Sequence, residues 1–341
     1  MNIQPRVSRQ TWQFSKDIRI LGSGVATGPL EGQGPLGEEF DIIHEDNYAH
    51  EDSWEKAERK MMGEAANVAL KKSGLTGEDI DVMLAGDLLN QIITANYTAR
   101  GLSLPLLGLF GACSTSMEGL ALAAALVDGG FAKYALTGCS SHNSTAERQF
   151  RYPTEYGGQK PPYAQWTVTG AGASVVGIGN KGPRITHATI GKVTDMGIKD
   201  PFDMGTAMAP AAADTIVTHF GDLGRAPQDY DLIVTGDLGK VGYAILKDML
   251  KDFGYDMTPH YSDCGIMLYR QDQDVFSGGS GCASSAVVTY SHIVNGLCSG
   301  KYNRVLVVAT GALFSPVSFQ QGESIPCIAH GVVMERVMDN E

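Results

Sequence analysis

Short apolar segments alternate with longer amphipathic segments along the whole chain. The short segments have the length and composition of buried strands, and they predict strands at 18–21, 81–85, 104–110, 134–136 and 167–179. Two longer segments, 53–72 and 113–127, have the length of helices, and Ser53 precedes the first as an N-cap. Glycines recur over 22–37, which predicts a loop after the first strand.

The second half of the chain repeats the first. Segment 77–88, GEDIDVMLAGDL, aligns without gaps with segment 227–238, PQDYDLIVTGDL. Further on, the segment that begins at Gly111 has a counterpart that begins at Gly281. A repeat of this length indicates a duplicated domain, since solenoid repeats have periods of 20–50 residues.

Because strands and helices alternate in both repeats, the sequence predicts an α/β fold of two pseudo-symmetric halves with mixed, mostly parallel sheets. We place the halves at 1–180 and 181–341, with 143–166 as an insertion in the first.

Composition narrows the class of protein. The 341 residues are 43% hydrophobic and 19% charged, which is typical of a folded globular protein, and the net charge of −12 argues against a nucleic-acid partner. The six cysteines show no metal-ligand spacing and predict free thiols. No signal peptide and no apolar stretch long enough to span a membrane is expected.

Cys113 is the first candidate for chemistry. It follows Gly111 where an apolar segment gives way to a predicted helix, and a helix N-terminus lowers the pKa of a thiol. This placement suits a nucleophile. The alternative is a small buried cysteine with a packing role only.

Several motifs together resemble the thiolase and ketoacyl-synthase superfamily. They are FGACSTS at 110–116, VTGAGA at 168–173 and SGGSGCASS at 277–285. The resemblance implies a layered α-β-α-β-α arrangement and a homodimer that pairs along 104–110. The segments ILGSGVATGPLEGQGPLG at 20–37 and RQFRYPTEYG at 148–157 are similar to a sporulation branch of this superfamily. That likeness implies a role in moving dipicolinic acid, with calcium, into the developing spore.

One departure from the superfamily pattern argues against condensing activity. Thiolases have a histidine in a Gly-His-Pro turn, and Gly279 stands at that position here, so no side chain can act as the base. His260 is a candidate substitute, or an ordinary loop histidine. We therefore favour a ligand-binding protein without a cofactor. The alternative is an acyltransferase that uses Cys113 as nucleophile on a coenzyme A thioester.

The segment 150–166 supplies candidate ligand contacts. It is rich in aromatic residues and in or beside it lie Arg148, Arg151, Tyr152 and Lys160. Aromatic faces and arginine side chains suit a flat ring with two carboxylates, although the segment could instead contact a second subunit. The remaining ligand-binding candidates are Cys113, His142 and Ser280, and a structural role is the alternative for His142.

The resemblance also implies partners and a location. We expect other membrane proteins of the same transport system as partners, and a place in the cytoplasm or forespore at the spore inner membrane. A scaffold whose pocket is a relic is a further alternative. The acidic segment 38–52 lacks the spacing of a calcium loop, so no metal site is predicted.

Overall fold

Strands and helices alternate along the chain in a computed structural model that describes residues 6–150 and 159–337. The strands are β1 (Thr11–Gln13), β2 (Ile18–Thr27), β3 (Ile42–Ile43), β4 (Val82–Gly86), β5 (Leu106–Gly108), β6 (Tyr134–Ser141), β7 (Trp166–Thr167), β8 (Gly170–Ile178), β9 (Arg184–Thr189), β10 (Leu232–Thr235), β11 (Tyr261–Asp263), β12 (Gly279–Ser280), β13 (Arg304–Ala312) and β14 (Cys327–Glu335). The helices are α1 (Pro29–Gly32), α2 (Trp54–Ser73), α3 (Ile93–Leu102), α4 (Thr115–Gly129), α5 (Asn143–Phe150), α6 (Met204–Leu223), α7 (Gly239–Asp252), α8 (Cys264–Met267), α9 (Cys282–Val288), α10 (Val294–Ser299) and α11 (Pro316–Gln320).

The main sheet consists of two half-sheets with the same strand order. From the centre outward the first half runs β2-β8-β6-β4-β5 and the second runs β9-β14-β13-β10-β11. In each half the two outer strand pairs are parallel and the two inner pairs are antiparallel. The halves meet where Arg19 of β2 pairs with Arg184 of β9. This symmetry confirms the duplicated, mixed α/β fold predicted from the repeat.

The structure has five layers, and three hydrophobic cores hold them together. One core joins α2 and α3 to the first half-sheet, and another joins α6 and α7 to the second. The central core lies between the half-sheets and contains α4 and α9, with Met117, Leu120 and Val287 fully buried. The order is therefore helix, sheet, helix, sheet, helix.

The glycine-rich segment after the first predicted strand is not a loop at its beginning. Strand β2 continues through Gly22 and Gly24 to Thr27, so the prediction of a loop from residue 22 is wrong. A β-carbon at Gly22 would lie 2.5 Å from the Ser73 nitrogen of α2, and one at Gly24 would lie 2.8 Å from the Ala69 nitrogen. Glycine is needed there because the helix backbone lies directly on the strand.

Helix α2 begins and ends as the sequence predicts, to within a residue. The Ser53 hydroxyl accepts a hydrogen bond from the Lys56 amide at 3.3 Å, and Gly74 ends the helix in the left-handed conformation with φ +79°. No helix in the described ranges is long and apolar enough to cross a membrane.

Candidate functional site

A cavity of about 380 Å³ lies where the carboxyl ends of parallel strands from both halves meet. The first half contributes the loop 87–92 after β4, residues 110–113 just before α4 and part of α5. The second half contributes residues of α6 and the segment 312–316 after β13. Strands β7 and β12, which pair in parallel, add Thr167 and Ser280 to the wall. The walls are mostly apolar, and neither half encloses the cavity alone.

Cys113 lies at the wall of this cavity. It is the middle residue of a 3-10 turn, Ala112–Ser114, that leads into α4, and its side chain is 8% exposed. The sharp turn is visible in Ala112, whose φ is +50°. The structure thus places the thiol at a helix start facing a cavity, while its role in binding or chemistry stays a prediction.

Asp237 is the group that the thiol contacts. It follows β10 and is fully buried, and its carboxylate accepts hydrogen bonds from the Thr310 hydroxyl at 2.6 Å and the Gly281 amide at 3.0 Å. The Ser280 hydroxyl at 3.3 Å and the Cys113 thiol also donate to it. Burial raises the pKa of Asp237 to about 7 in spite of these donors, so the carboxyl can gain or lose a proton near neutrality.

Sequence reasoning missed Asp237 as a site residue, although the signal was present. The repeated Gly-Asp-Leu puts a carboxyl directly after β4 and again after β10, and Asp87 is the first of the two. Asp87 lines the cavity, and its two oxygens accept from the Leu89 and Ala95 amides at 2.9 Å each. Burial raises the pKa of Asp87 to about 6.

A second buried acid lies behind Asp87. Glu58 of α2 accepts hydrogen bonds from Ser140 at 2.9 Å and from Thr145 at 3.0 Å. Burial, with the charge of Asp87 adding to it, raises the pKa of Glu58 to about 8. At neutral pH, Glu58 is therefore mostly protonated and Asp87 mostly ionised.

Neither of the two histidine candidates lies at the cavity. His142 is buried with its Nε2 2.7 Å from the Asn47 carbonyl oxygen, and its Nδ1 accepts from the Ser144 amide at 3.1 Å. Burial lowers its pKa, which fits a neutral structural histidine. His260 precedes β11 at the amino end of that strand, whereas the site lies at the carboxyl ends. The structure therefore does not bring His260 to Cys113.

The position expected to hold a catalytic histidine is tightly packed, so a side chain there would require its neighbours to move. A β-carbon at Gly279 would lie 3.0–3.2 Å from Val168, Tyr269 and Gly265. Among residues 6–150 and 159–337, no histidine lines the cavity.

The predicted cationic contacts also lie away from the cavity. Arg148 forms an ion pair with Glu55 and lies 5.3 Å from the Trp54 ring, and Lys160 forms an ion pair with Glu147 at 2.9 Å. Arg151 and Tyr152 fall outside the described residues. Of the sequence candidates within the described ranges, only Cys113 and Ser280 line the cavity, and no Lys or Arg of those ranges does.

Five layers, two equivalent half-sheets and a cavity centred on a helix-start cysteine define a thiolase-like protein. The fold is similar to that of 3-oxoacyl-[acyl-carrier-protein] synthase III from Aquifex aeolicus, with a TM-score of 0.57, 14% identity, and coverage of 93% of this chain and 99% of that chain. It is also similar to OleA from Xanthomonas campestris with cerulenin bound, with a TM-score of 0.63, 16% identity, and coverage of 97% and 99%.

Within that class, the chain belongs to the family of stage V sporulation protein AD, which residues 8–335 match. It is 62% identical over 328 residues to stage V sporulation protein AD of Bacillus subtilis (strain 168), covering 96% of this chain and 97% of that protein. The chain is therefore a thiolase-like sporulation protein, as the motifs predicted.

Proposed function

We propose that the chain binds dipicolinate in the Cys113 cavity and takes part in moving it, with calcium, into the developing spore, without condensing acyl groups. The observation that carries this proposal is a thiolase-like cavity around Cys113 with no imidazole on its wall among the described residues. Without a base of that kind, the proton transfers of condensation lose the group that usually performs them.

The cavity wall has features that suit a flat aromatic ligand. Phe110, Phe150 and Phe314 supply aromatic surface, and the rings of Phe150 and Phe314 lie 5.7 Å apart. Polar groups are few, and Cys113 and Ser280 lie together at one side. A mostly apolar pocket with a few polar groups is the usual form of a small-molecule site.

Isothermal titration calorimetry with dipicolinate tests this function. We expect saturable binding to the wild-type chain and at least about tenfold weaker binding by Cys113→Ala, because that change removes a polar contact from the cavity. Cys298→Ala is the matched control, since Cys298 is exposed and does not line the cavity. A flat titration of the intact chain over a range of pH would contradict the proposal.

A second candidate function is acyl transfer to Cys113 from a coenzyme A thioester. It is favoured by the position of the thiol at a helix start. Intact-mass analysis after incubation with acetyl-, butyryl- and benzoyl-coenzyme A would show a mass increase in the wild-type chain and in Cys298→Ala, but none in Cys113→Ala. No adduct with any donor would exclude this candidate.

We further propose that the chain acts in the forespore, at the inner membrane, beside membrane proteins of the same transport system. The sporulation family supports this location. Co-purification from sporulating cells tests it: we expect those membrane proteins with the wild-type chain. If Cys113→Ala recovers them equally, the binding surface is separate from the cavity.

A further inference from the structure

We propose that Asp237 controls ligand binding through one proton: a ligand carboxylate binds when Asp237 is protonated, and Cys113 then turns its S–H from Asp237 toward the ligand. The role assigned to Asp237 rests on the proposed function and adds to it a positioning residue and a pH dependence.

The first step is the electrostatics of the cavity. Within residues 6–150 and 159–337 its wall contains one charged side chain, the carboxyl of Asp87, and no cation. Asp237, which accepts a hydrogen bond from Cys113, is also an acid. A dicarboxylate ligand that enters with both acids ionised meets charge of its own sign in a mostly apolar cavity, and this is unfavourable.

The second step is the hydrogen-bond geometry at Asp237. The ionised carboxylate accepts the Cys113 S–H as well as the Thr310, Gly281 and Ser280 donors. While it does so, the thiol has no hydrogen to offer a ligand, because a thiol carries only one. The ionised state of Asp237 therefore both repels an anion and withholds the donor nearest to it.

Protonation reverses both effects. One proton from solvent joins a carboxylate oxygen of Asp237, and the new O–H donates to Sγ of Cys113. The Cys113 S–H then turns from Asp237 to donate to a ligand carboxylate, and no covalent bond other than the new O–H changes. Burial raises the pKa of Asp237 to about 7, so this exchange falls within the physiological range.

Other titratable groups face Asp237 and must be separated from it experimentally. Those on the neighbouring elements are Asp263, Cys264, Cys327 and Cys113. Asp87 lines the cavity, and Glu58 is close enough to interact with its charge. Burial raises the pKa of Asp263 to about 6, but its oxygens accept from the Thr235 hydroxyl and the Leu238 and Gly239 amides, and it does not line the cavity.

The test is calorimetry of dipicolinate binding in pairs of buffers with different ionisation enthalpies, from about pH 6 to about pH 8.5. For the wild-type chain we expect uptake of close to one proton per ligand at about pH 8 and little at about pH 6. Affinity should fall about tenfold per pH unit above about pH 7, because the free site must first be protonated. Isophthalate lacks the ring nitrogen, so proton uptake on isophthalate binding would show that the proton does not go to the ligand ring.

Three variants test whether Asp237 is the group that takes up the proton. Asp237→Asn is permanently neutral, and we expect it to bind at about pH 8 nearly as tightly as the wild-type chain does at about pH 6, without proton uptake. Asp263→Asn is the control and should keep the proton uptake, with the profile moved to somewhat lower pH, because the charge of Asp263 helps to raise the pKa of Asp237. Cys113→Ser retains a donor and should keep the profile, whereas Cys113→Ala should bind about tenfold more weakly at low pH.

The outcomes are distinct. Binding without proton uptake overturns the role of Asp237 and leaves the proposed function intact, whereas no binding at any pH ends the proposed function. Loss of uptake in Asp87→Asn but not in Asp237→Asn assigns the proton to Asp87 and overturns the inference. The wild-type buffer dependence needs no variant, so an absence of proton uptake overturns the role of Asp237 even if Asp237→Asn fails to fold. In that case, uptake that persists in Asp87→Asn and Asp263→Asn supports the role, and its loss in either variant overturns it.

Discussion

Asp87 and Asp237 occupy equivalent positions in the two halves, yet they accept hydrogen bonds from different parts of the molecule. Asp87 accepts from the Leu89 and Ala95 amides, which belong to the loop and helix that follow it. Asp237 accepts from Thr310 and Gly281, which lie far along the chain, and from Cys113 of the other half. The same residue after the same strand therefore stabilises a local loop in one half and connects separate elements in the other.

The outermost strands of the two half-sheets, β5 and β11, also differ, in how much apolar surface they expose. Strand β5 of the first half leaves Leu107 51% exposed, and Phe110 just beyond it is 63% exposed, whereas Tyr261 of β11 is buried. An exposed apolar edge strand is a surface that a second chain can pair with. Among the described residues, the equivalent edge of the second half offers no such surface, so the halves also differ in the apolar surface that they expose.

Removing either carboxyl should have the largest effect on stability, and the loss should differ between the two acids. Asp237→Ala leaves buried donors from Thr310, Gly281 and Ser280 without an acceptor, and we expect a loss of about 3–4 kcal/mol in the free energy of unfolding. Asp87→Ala leaves the Leu89 and Ala95 amides without this acceptor and should lower the free energy of unfolding by about 2 kcal/mol. Chemical denaturation measures both. Equal losses would show that the acids are structurally equivalent after all.

The edge-strand difference predicts a homodimer that pairs along β5. Leu107→Asp would place like charges opposite each other across a two-fold axis, and we expect dimer affinity to fall about 100-fold or more. Val193→Asp is the matched control, because Val193 is 56% exposed and lies outside that strand. Light scattering at micromolar concentration measures the mass. A wild-type monomer, or a dimer that survives Leu107→Asp, would refute this arrangement.

Filling the cavity from either half should weaken dipicolinate binding about equally. Ala146 of α5 and Ala312 of β13 both line the cavity and are almost fully buried. A leucine at either position occupies ligand space, and we expect about tenfold loss of affinity, measured by calorimetry with thermal unfolding as the check on folding. An effect confined to one variant would place the ligand in that half of the cavity.

The smallest expected effect is the pH dependence of stability that Glu58 contributes. Its pKa is raised to about 8 in the folded state, so the folded chain binds this proton more tightly than the unfolded chain. That contribution is lost as pH rises toward 8. Buried histidines have the opposite effect on the pH dependence of stability, since burial lowers the pKa of His219 to about 3 and of His330 to about 4. Their contribution changes with pH only below about pH 6.5, the ordinary pKa of histidine.

Glu58→Gln cannot ionise and should reduce the fall in unfolding free energy above about pH 6.5 by about 1 kcal/mol per pH unit. Denaturant titrations at several pH values measure the difference. Glu64→Gln, at a half-exposed position on the same helix, is the control, and an equal change in that variant would contradict the assignment to Glu58.

Local signals in the sequence predicted most of the fold. The Ser53 cap, the repeat of 77–88 at 227–238 and the helix start at Cys113 depend on residues close together in the chain, and the structure has each of them. The glycines at 22 and 24 were misread, because a glycine that admits a neighbouring helix has the same local pattern as a glycine in a loop.

The site was less predictable, because its contacts join distant segments. Nothing in the pattern around Arg148 or Lys160 shows that each pairs with a glutamate, and these ion pairs hold both side chains away from the cavity. Asp237 was overlooked for a different reason. Histidine is the residue that the superfamily pattern leads one to look for beside a reactive cysteine, whereas here the thiol contacts a carboxyl.

The repeated strand order has a consequence for ancestry. If the halves descend from one gene, the ancestor was a dimer of identical chains, and any pocket at their junction existed in two copies related by the axis. A substitution in such an ancestor altered both copies at once. Fusion into one polypeptide released that constraint, so that the residues now at 87 and 237 were free to evolve separately.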